Sequence, residues 1–189
     1  MEADEIKEGS QEKETSWLVS ILFELIGAVF CAIFVLMLFL AFFCRQVTVD
    51  GDSMNDTLQN EDRLLVACMG YTPKCGDIVI VTHGANLPEA IVKRVIATAG
   101  QTLEIDYNTG DVIVDGVLLK ESYIKGVTRA TIESWSIPRV IPEGYVFVMG
   151  DNRENSLDSR SSRVGLIPVE NIIGRVFARW YPFEKLSGI

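Results

Sequence analysis

The stretch Leu25–Cys44, LIGAVFCAIFVLMLFLAFFC, runs twenty residues without a charge. A helix of that length spans about 30 Å, the thickness of a bilayer's hydrocarbon core. It divides the 189-residue chain into a short polar front and a long domain behind. A cleavable leader is the competing reading. Such a leader has a basic front, a shorter apolar region and a small-x-small cleavage site. Here the front is acidic and the stretch closes on Phe42-Phe43-Cys44-Arg45, so it reads as a retained anchor.

Upstream, residues 1–16 (MEADEIKEGSQEKETS) hold six acidic and two basic groups with no apolar period. That composition predicts a disordered acidic tail. Residues 17–44 form the interfacial segment and anchor. Trp17 suits the headgroup level and Glu24 its polar edge, a functional intramembrane carboxylate being the alternative. Lys7 and Lys13 on one side balance Arg45 and Arg63 on the other, so charge alone leaves the orientation undecided.

Downstream, residues 45–189 change texture. Roughly 145 residues are enough for one domain with its own core. Short β-rich runs are broken by Gly, Asp, Asn and Pro: Gln46–Val49, Arg63–Ala67, Asp77–Thr82, Ile91–Ala97, Tyr145–Met149 and Ile172–Trp180. Val112–Val114 and Val117–Leu119 flank Asp115-Gly116, a strong hairpin signal. Beyond the anchor no 3.6-residue period is sustained, apart from a turn near Pro168–Ile172, and there are no internal repeats. The expected fold is mostly β, an antiparallel sheet or partly closed barrel preceded by one transmembrane helix. Ala178–Phe183 reads either as the end of the last core strand or as an interfacial aromatic segment. Of the net charge of −9, only −4 falls on residues 25–189, and no basic stripe suggests nucleic acid. Cys31 and Cys44 are apolar fillers in the anchor. Cys68 and Cys75 are spaced for a disulfide that spacing alone does not decide. With His83 they make a poor zinc set.

Three stretches carry chemistry. In Val49-Asp50-Gly51-Asp52-Ser53-Met54 a strand ends, glycine permits a sharp turn and a serine follows. A simple turn serine is the plain reading; an exposed nucleophile with free backbone N–H groups is the chemical one. In Ile91-Val92-Lys93-Arg94-Val95-Ile96-Ala97 two adjacent cations sit in an apolar strand. Opposite faces of a strand cannot both meet water there, so one cation is withdrawn from solvent. Desolvation lowers a lysine's pKa towards that of a general base, whereas arginine keeps its proton. A lysine snorkelling from an edge strand is the alternative. Third, Met149–Arg160 (MGDNRENSLDSR) passes from an apolar strand into a loop crowded with polar groups, where Asp158 pairs with Arg160 or Arg153. The chain's one histidine, His83, lies in a loop and offers a rival serine–histidine arrangement.

Taken in order, these residues resemble the type I signal peptidases, membrane-anchored serine–lysine proteases, of the single-anchor Gram-positive kind. Four blocks carry the resemblance: Gly51-x-Ser53-Met54-x-x-Thr57-Leu58, Gly76-Asp77-Ile78-Val79, Lys93-Arg94-Val95-Ile96-Ala97, and Gly150-Asp151-Asn152-Arg153-x-x-Ser156-x-Asp158-Ser159-Arg160. The resemblance implies that Ser53 is the nucleophile and Lys93 the general base. Ser156 would orient the lysine amine, and Asp158 and Arg160 would brace the site. Gly51, Met54 and Asp151 would support it. Some members carry an oxyanion-binding hydroxyl two residues before the nucleophile; with Gly51 there, backbone or water must serve. A further departure is Asn55-Asp56 where the family usually has proline before Thr-Leu. That change predicts a looser loop and a carboxylate that raises the pKa of Lys93.

The implied function is removal of signal peptides from secreted preproteins through an acyl-enzyme, without cofactor or metal. Substrates would bind extended, with small residues at −1 and −3. The partners would be these preproteins, the lipid bilayer and the translocation machinery. The amino terminus would be cytoplasmic and the β domain extracytoplasmic. Two alternatives stand beside it: another serine–lysine peptidase with a different target, and a non-catalytic membrane-tethered β module.

Overall fold

The computed structural model describes residues 2–82, 89–185 and 187–188. The chain divides at Phe43/Cys44 into a helical unit and a β unit.

Helix α1 runs Glu2–Phe43. The helix includes residues 2–16 of the polar front. Ala, Glu, Lys and Gln are good helix formers, and acidic residues at the start complement the helix dipole. Within α1 the stretch Val19–Leu38 is long and apolar enough to cross a membrane. It lies six residues earlier than the charge-free run and contains Glu24. Cys44 leaves the helix to become the first residue of β1.

Among the described residues the β unit holds eleven strands. β1 (Cys44–Thr48), β2 (Arg63–Ala67), β3 (Ile78–Val81), β4 (Ile91–Thr98), β8 (Tyr145–Met149), β9 (Ile167–Pro168) and β10 (Ile172–Tyr181) form one antiparallel sheet ordered β1-β2-β10-β3-β4-β8-β9, with β11 (Ser187–Gly188) beside β10. The long β10 bridges the halves, pairing with β3 through Ile172–Arg175 and with β2 through Arg175–Tyr181. Ala178–Tyr181 is thus the end of a core strand. A separate sheet, β5 (Leu103–Asp106), β6 (Asp111–Val114) and β7 (Val117–Leu118), turns on Asp115-Gly116. Both turn residues have positive φ, 52° and 76°, as a tight two-residue hairpin requires.

Among the described residues, apolar clusters fill the domain. One packs Met54 and Leu58 against Leu64, Val66, Ile78 and Val176. A second joins β3 to β8 through Val79, Val81, Val95, Val146 and Val148. The third seats the small sheet on Ile96, Phe147 and Met149. Leu58 and Met54 are almost fully buried, so the loop between β1 and β2 is pinned by its own apolar side chains. Cys31, Cys44, Cys68 and Cys75 are all free thiols, so Cys68 and Cys75 do not pair.

Candidate active site

Ser53 follows β1 in a turn that Gly51 makes possible, with φ of +92°, a conformation that favours glycine. The Gly51 N–H donates to Asn60 Oδ1 at 2.9 Å and is therefore spent. The loop closes on itself: Leu58 N–H donates to Met54 O, Val49 N–H to Asp62 O and Glu61 N–H to Val49 O.

Lys93 sits mid-strand in β4, opposite Val79 of β3. It is 3% exposed. Its amine lies 2.6 Å from Ser53 Oγ and donates to Val92 O at 3.0 Å. Burial pushes its pKa down to about 8; Asp158 and Asp151 pull it upward and Arg160 pushes it down. Among the described residues no carboxylate touches the amine, so desolvation wins.

Arg94, the next residue, points the other way into a cage. Its Nε and Nη2 grip both oxygens of Asp151 at 2.9 and 2.6 Å, Nη1 donates to Gly76 O, and the guanidinium stacks 4.0 Å from the ring centroid of Tyr123. Asp151 is fully buried and also accepts the Thr57 hydroxyl at 2.6 Å. From the far side Arg179 donates to Thr57 O and pairs with buried Asp62. The serine loop is therefore held between two arginine–carboxylate pairs.

Behind Lys93 stands Asp158. Both its oxygens are bound by Arg160, at 2.8 Å each, and Oδ2 also accepts the Gly150 N–H at 3.0 Å. Burial pushes this carboxyl up, but the Arg160 guanidinium and the Gly150 N–H together hold it below the usual range. Arg160 also donates to Arg153 O and Arg129 O. Arg153 does not pair with Asp158; it is buried against Glu121 and Thr128.

Ser156 departs from expectation. Its buried Oγ lies against Asp158, whose carboxyl it helps hold down, and among the described residues it makes no hydrogen bond to the lysine amine. It packs against Gly150. A Cβ added to Gly150 would lie 2.2 Å from Ser156 Oγ and 2.4 Å from Ser53 O, so only glycine lets the two loops approach this closely. Asp56 departs too. Its side chain is 77% exposed and pairs with Lys125 at 3.3 Å, pointing into solvent. It is not among the groups that move the Lys93 pKa, and the many bonds of the loop replace the stiffness of a proline. Met54 is buried in the core cluster beneath the loop. His83 lies outside the described residues, so neither a histidine arrangement nor the zinc set can be placed.

A cavity of about 230 Å³ opens beside Ser53 and Lys93, with Val47, Val49, Ile80, Ile91 and Val92 among its walls and Asp50 and Glu89 lining it as well. Residues Ile91–Lys93 pair with β3 on one edge, while pairing with β8 begins only at Arg94. Among the described residues, their other edge is unpaired and available to an extended peptide. A hydroxyl touching a buried amine of lowered pKa beside an apolar trough is suited to acyl transfer.

The sequence reading missed Arg94, Thr57, Glu121 and Arg179 as site-building residues. Arg94 and Thr57 lie within the quoted blocks, and the two-cation argument implied that the arginine too needed a partner. Glu121 and Arg179 lie in stretches without any local signal.

A family model described as signal peptidase, peptidase S26, matches residues 22–181. A probable signal peptidase I-1 of Synechocystis sp. is 41% identical over 163 residues, covering 80% of this chain and 79% of that protein. Signal peptidase I of Bacillus licheniformis is 33% identical over 187 residues, covering 94% of this chain and 97% of that protein. A crystal structure of a signal peptidase I from Enterococcus faecalis V583 aligns with a TM-score of 0.45 at 26% identity, over 56% of this chain and 97% of that one.

Proposed function

The chain belongs to the signal peptidase family, peptidase S26, and from that premise we propose that Ser53 is its nucleophile and the uncharged amine of Lys93 its general base. As a membrane-anchored serine endopeptidase it removes signal peptides from preproteins. The observation that carries the residue assignment is the 2.6 Å contact between an amine and a hydroxyl, the amine being 3% exposed.

In the reactive form the amine is neutral, so the hydroxyl donates to Nζ. As Ser53 Oγ bonds to the scissile carbonyl carbon, its proton passes to Lys93. The oxyanion is received by the Ser53 N–H, which donates to no group among the described residues. The lysine ammonium then gives its proton to the leaving amine, the new amino terminus of the mature protein. A water, deprotonated by Lys93, attacks the ester and frees the serine. Asp158 and Arg160 brace the loop behind the amine, and the Arg94–Asp151 pair holds the nucleophile loop through Thr57. Arg160 offsets much of the charge of Asp158, which limits its upward pull on Lys93.

The substrate lies extended along Ile91–Lys93, with its small −1 and −3 side chains in the apolar trough. The amino terminus is cytoplasmic and the β domain extracytoplasmic, where preproteins leave the translocation machinery. Confinement to the bilayer raises the effective concentration of substrate and enzyme without added contacts.

Cleavage of one secretory precursor in detergent by the full chain tests this. Ser53→Ala and Lys93→Ala should be inactive. Lys93→Arg should be equally inactive, because arginine keeps the charge but does not give up its proton. Turnover by the arginine variant would remove Lys93 as base.

A further inference from the structure

Asn152 is 8% exposed and makes two hydrogen bonds to consecutive carbonyls of the nucleophile turn. Its side-chain Nδ2 donates to Asp52 O at 3.0 Å, and its backbone N–H donates to Ser53 O at 3.0 Å. A carbonyl can accept only from the NH₂ end of the amide, so the side-chain orientation is fixed by its partner.

Those two carbonyls belong to the peptide units on either side of Ser53. A peptide unit is planar and trans, so its C=O and N–H point in opposite directions. Holding Asp52 O therefore sets the direction of the Ser53 N–H. Holding Ser53 O fixes the second plane, and with both planes fixed the φ and ψ of the nucleophile are fixed as well. Asn152 is itself on a rigid base. Its neighbour Asp151 is gripped by Arg94, and the backbone on either side is tied to Lys125, whose N–H donates to Asp151 O and whose carbonyl accepts the Arg153 N–H.

We propose that Asn152 is a positioning residue that aims the Ser53 N–H at the developing oxyanion. This rests on the reading of Ser53 as nucleophile. The demand on it is unusual in this chain: Gly51 offers no hydroxyl, and its N–H is held by Asn60. The Ser53 N–H then carries much of the oxyanion's stabilisation, and its direction matters correspondingly. Asparagine meets a requirement that aspartate cannot, since a carboxylate would face the Asp52 carbonyl with no proton to donate.

The test uses the full-length enzyme in detergent, with Asn152→Asp and Asn152→Ala. Measured are kcat and KM for a preprotein, affinity for a peptidyl boronate that forms a tetrahedral adduct on Ser53, the pH profile and Tm. The expected result is a fall in kcat of about ten- to a hundredfold, the scale of a lost or misdirected oxyanion donor. Boronate affinity should fall by a similar factor, while KM and the acid limb of the pH profile stay in place. Three results would overturn the proposal: kcat within about twofold of wild type in both variants, equal losses in substrate and boronate binding, or a lowered Tm with unchanged kcat per folded molecule. Ser53→Ala in the same assay separates the two readings, because residual cleavage there removes the nucleophile itself and not merely its aiming.

Discussion

Lys93 and Arg94 are neighbours on one strand, both cationic in water and both withdrawn from it, yet their surroundings are opposites. Lys93 meets a hydroxyl, one backbone carbonyl and apolar walls, and burial takes its pKa down to about 8. Arg94 meets a carboxylate with both arms of its fork, a carbonyl and an aromatic face. Among the described residues, one face of β4 gives its cation no carboxylate in direct contact, and the other gives its cation one held by both arms of the fork. Alternation of side chains along a strand lets two such environments sit one residue apart.

Exchanging the two cations in the double variant Lys93→Arg, Arg94→Lys breaks this comparison most severely. The total charge is unchanged, but no group that can lose a proton faces Ser53. Preprotein cleavage should fall at least about a thousandfold. Next in size is Arg94→Gln, which leaves the carboxylate of Asp151 buried with little beyond the Thr57 hydroxyl. A loss of about 3 kcal/mol of stability is expected in denaturant unfolding. The acid limb of the pH–rate profile should also move to higher pH, because Asp151 already draws the Lys93 pKa upward and would do so unopposed. Arg94→Lys should rescue little, having no fork to grip both oxygens.

Lys93→Met sharpens the comparison from the other side. Holding the amine at about 8 instead of 10.5 costs about 3 kcal/mol of folding free energy. The sign follows from linkage. Below pH 8 the amine is protonated in both folded and unfolded chains, so the cost is complete; it is relieved as pH rises from about 8 to 10.5. The inactive methionine variant should therefore unfold at higher temperature than wild type near neutral pH, with the advantage shrinking in alkali. The smallest effect belongs to Asp56→Asn. The exposed Asp56–Lys125 pair is screened by solvent, so activity should stay within about twofold and the acid limb should not move.

The strands were legible wherever apolar residues recur with strand spacing. Arg63–Ala67 and Tyr145–Met149 are found at their expected bounds, and the Asp115-Gly116 hairpin turns where its residues demand. β5, Leu-Glu-Ile-Asp, was missed because two of its four residues disfavour strands; its alternation was present but short. In the site, local motifs led to Ser53, Lys93 and the Asp158–Arg160 pair. They did not lead to Glu121 beneath Arg153, nor to Arg179 on Thr57, whose partners lie 32 and 122 positions away. Such contacts are products of the fold and leave no mark on neighbouring sequence. The misreading of Asp56 has the same origin. Nearness to Ser53 in sequence suggested an electrostatic effect, and the side chain instead points outward.

The pH dependence of kcat/KM for a signal-peptide substrate, measured on the full-length enzyme in detergent from pH 5 to 10, reads the protonation of the free enzyme's base most directly. The expected profile is a single-proton rise with its midpoint near 8 and a plateau above it. A flat profile across that range, or a midpoint near the 10.4 of a solvated lysine, would mean that Lys93 is not the uncharged base of Ser53.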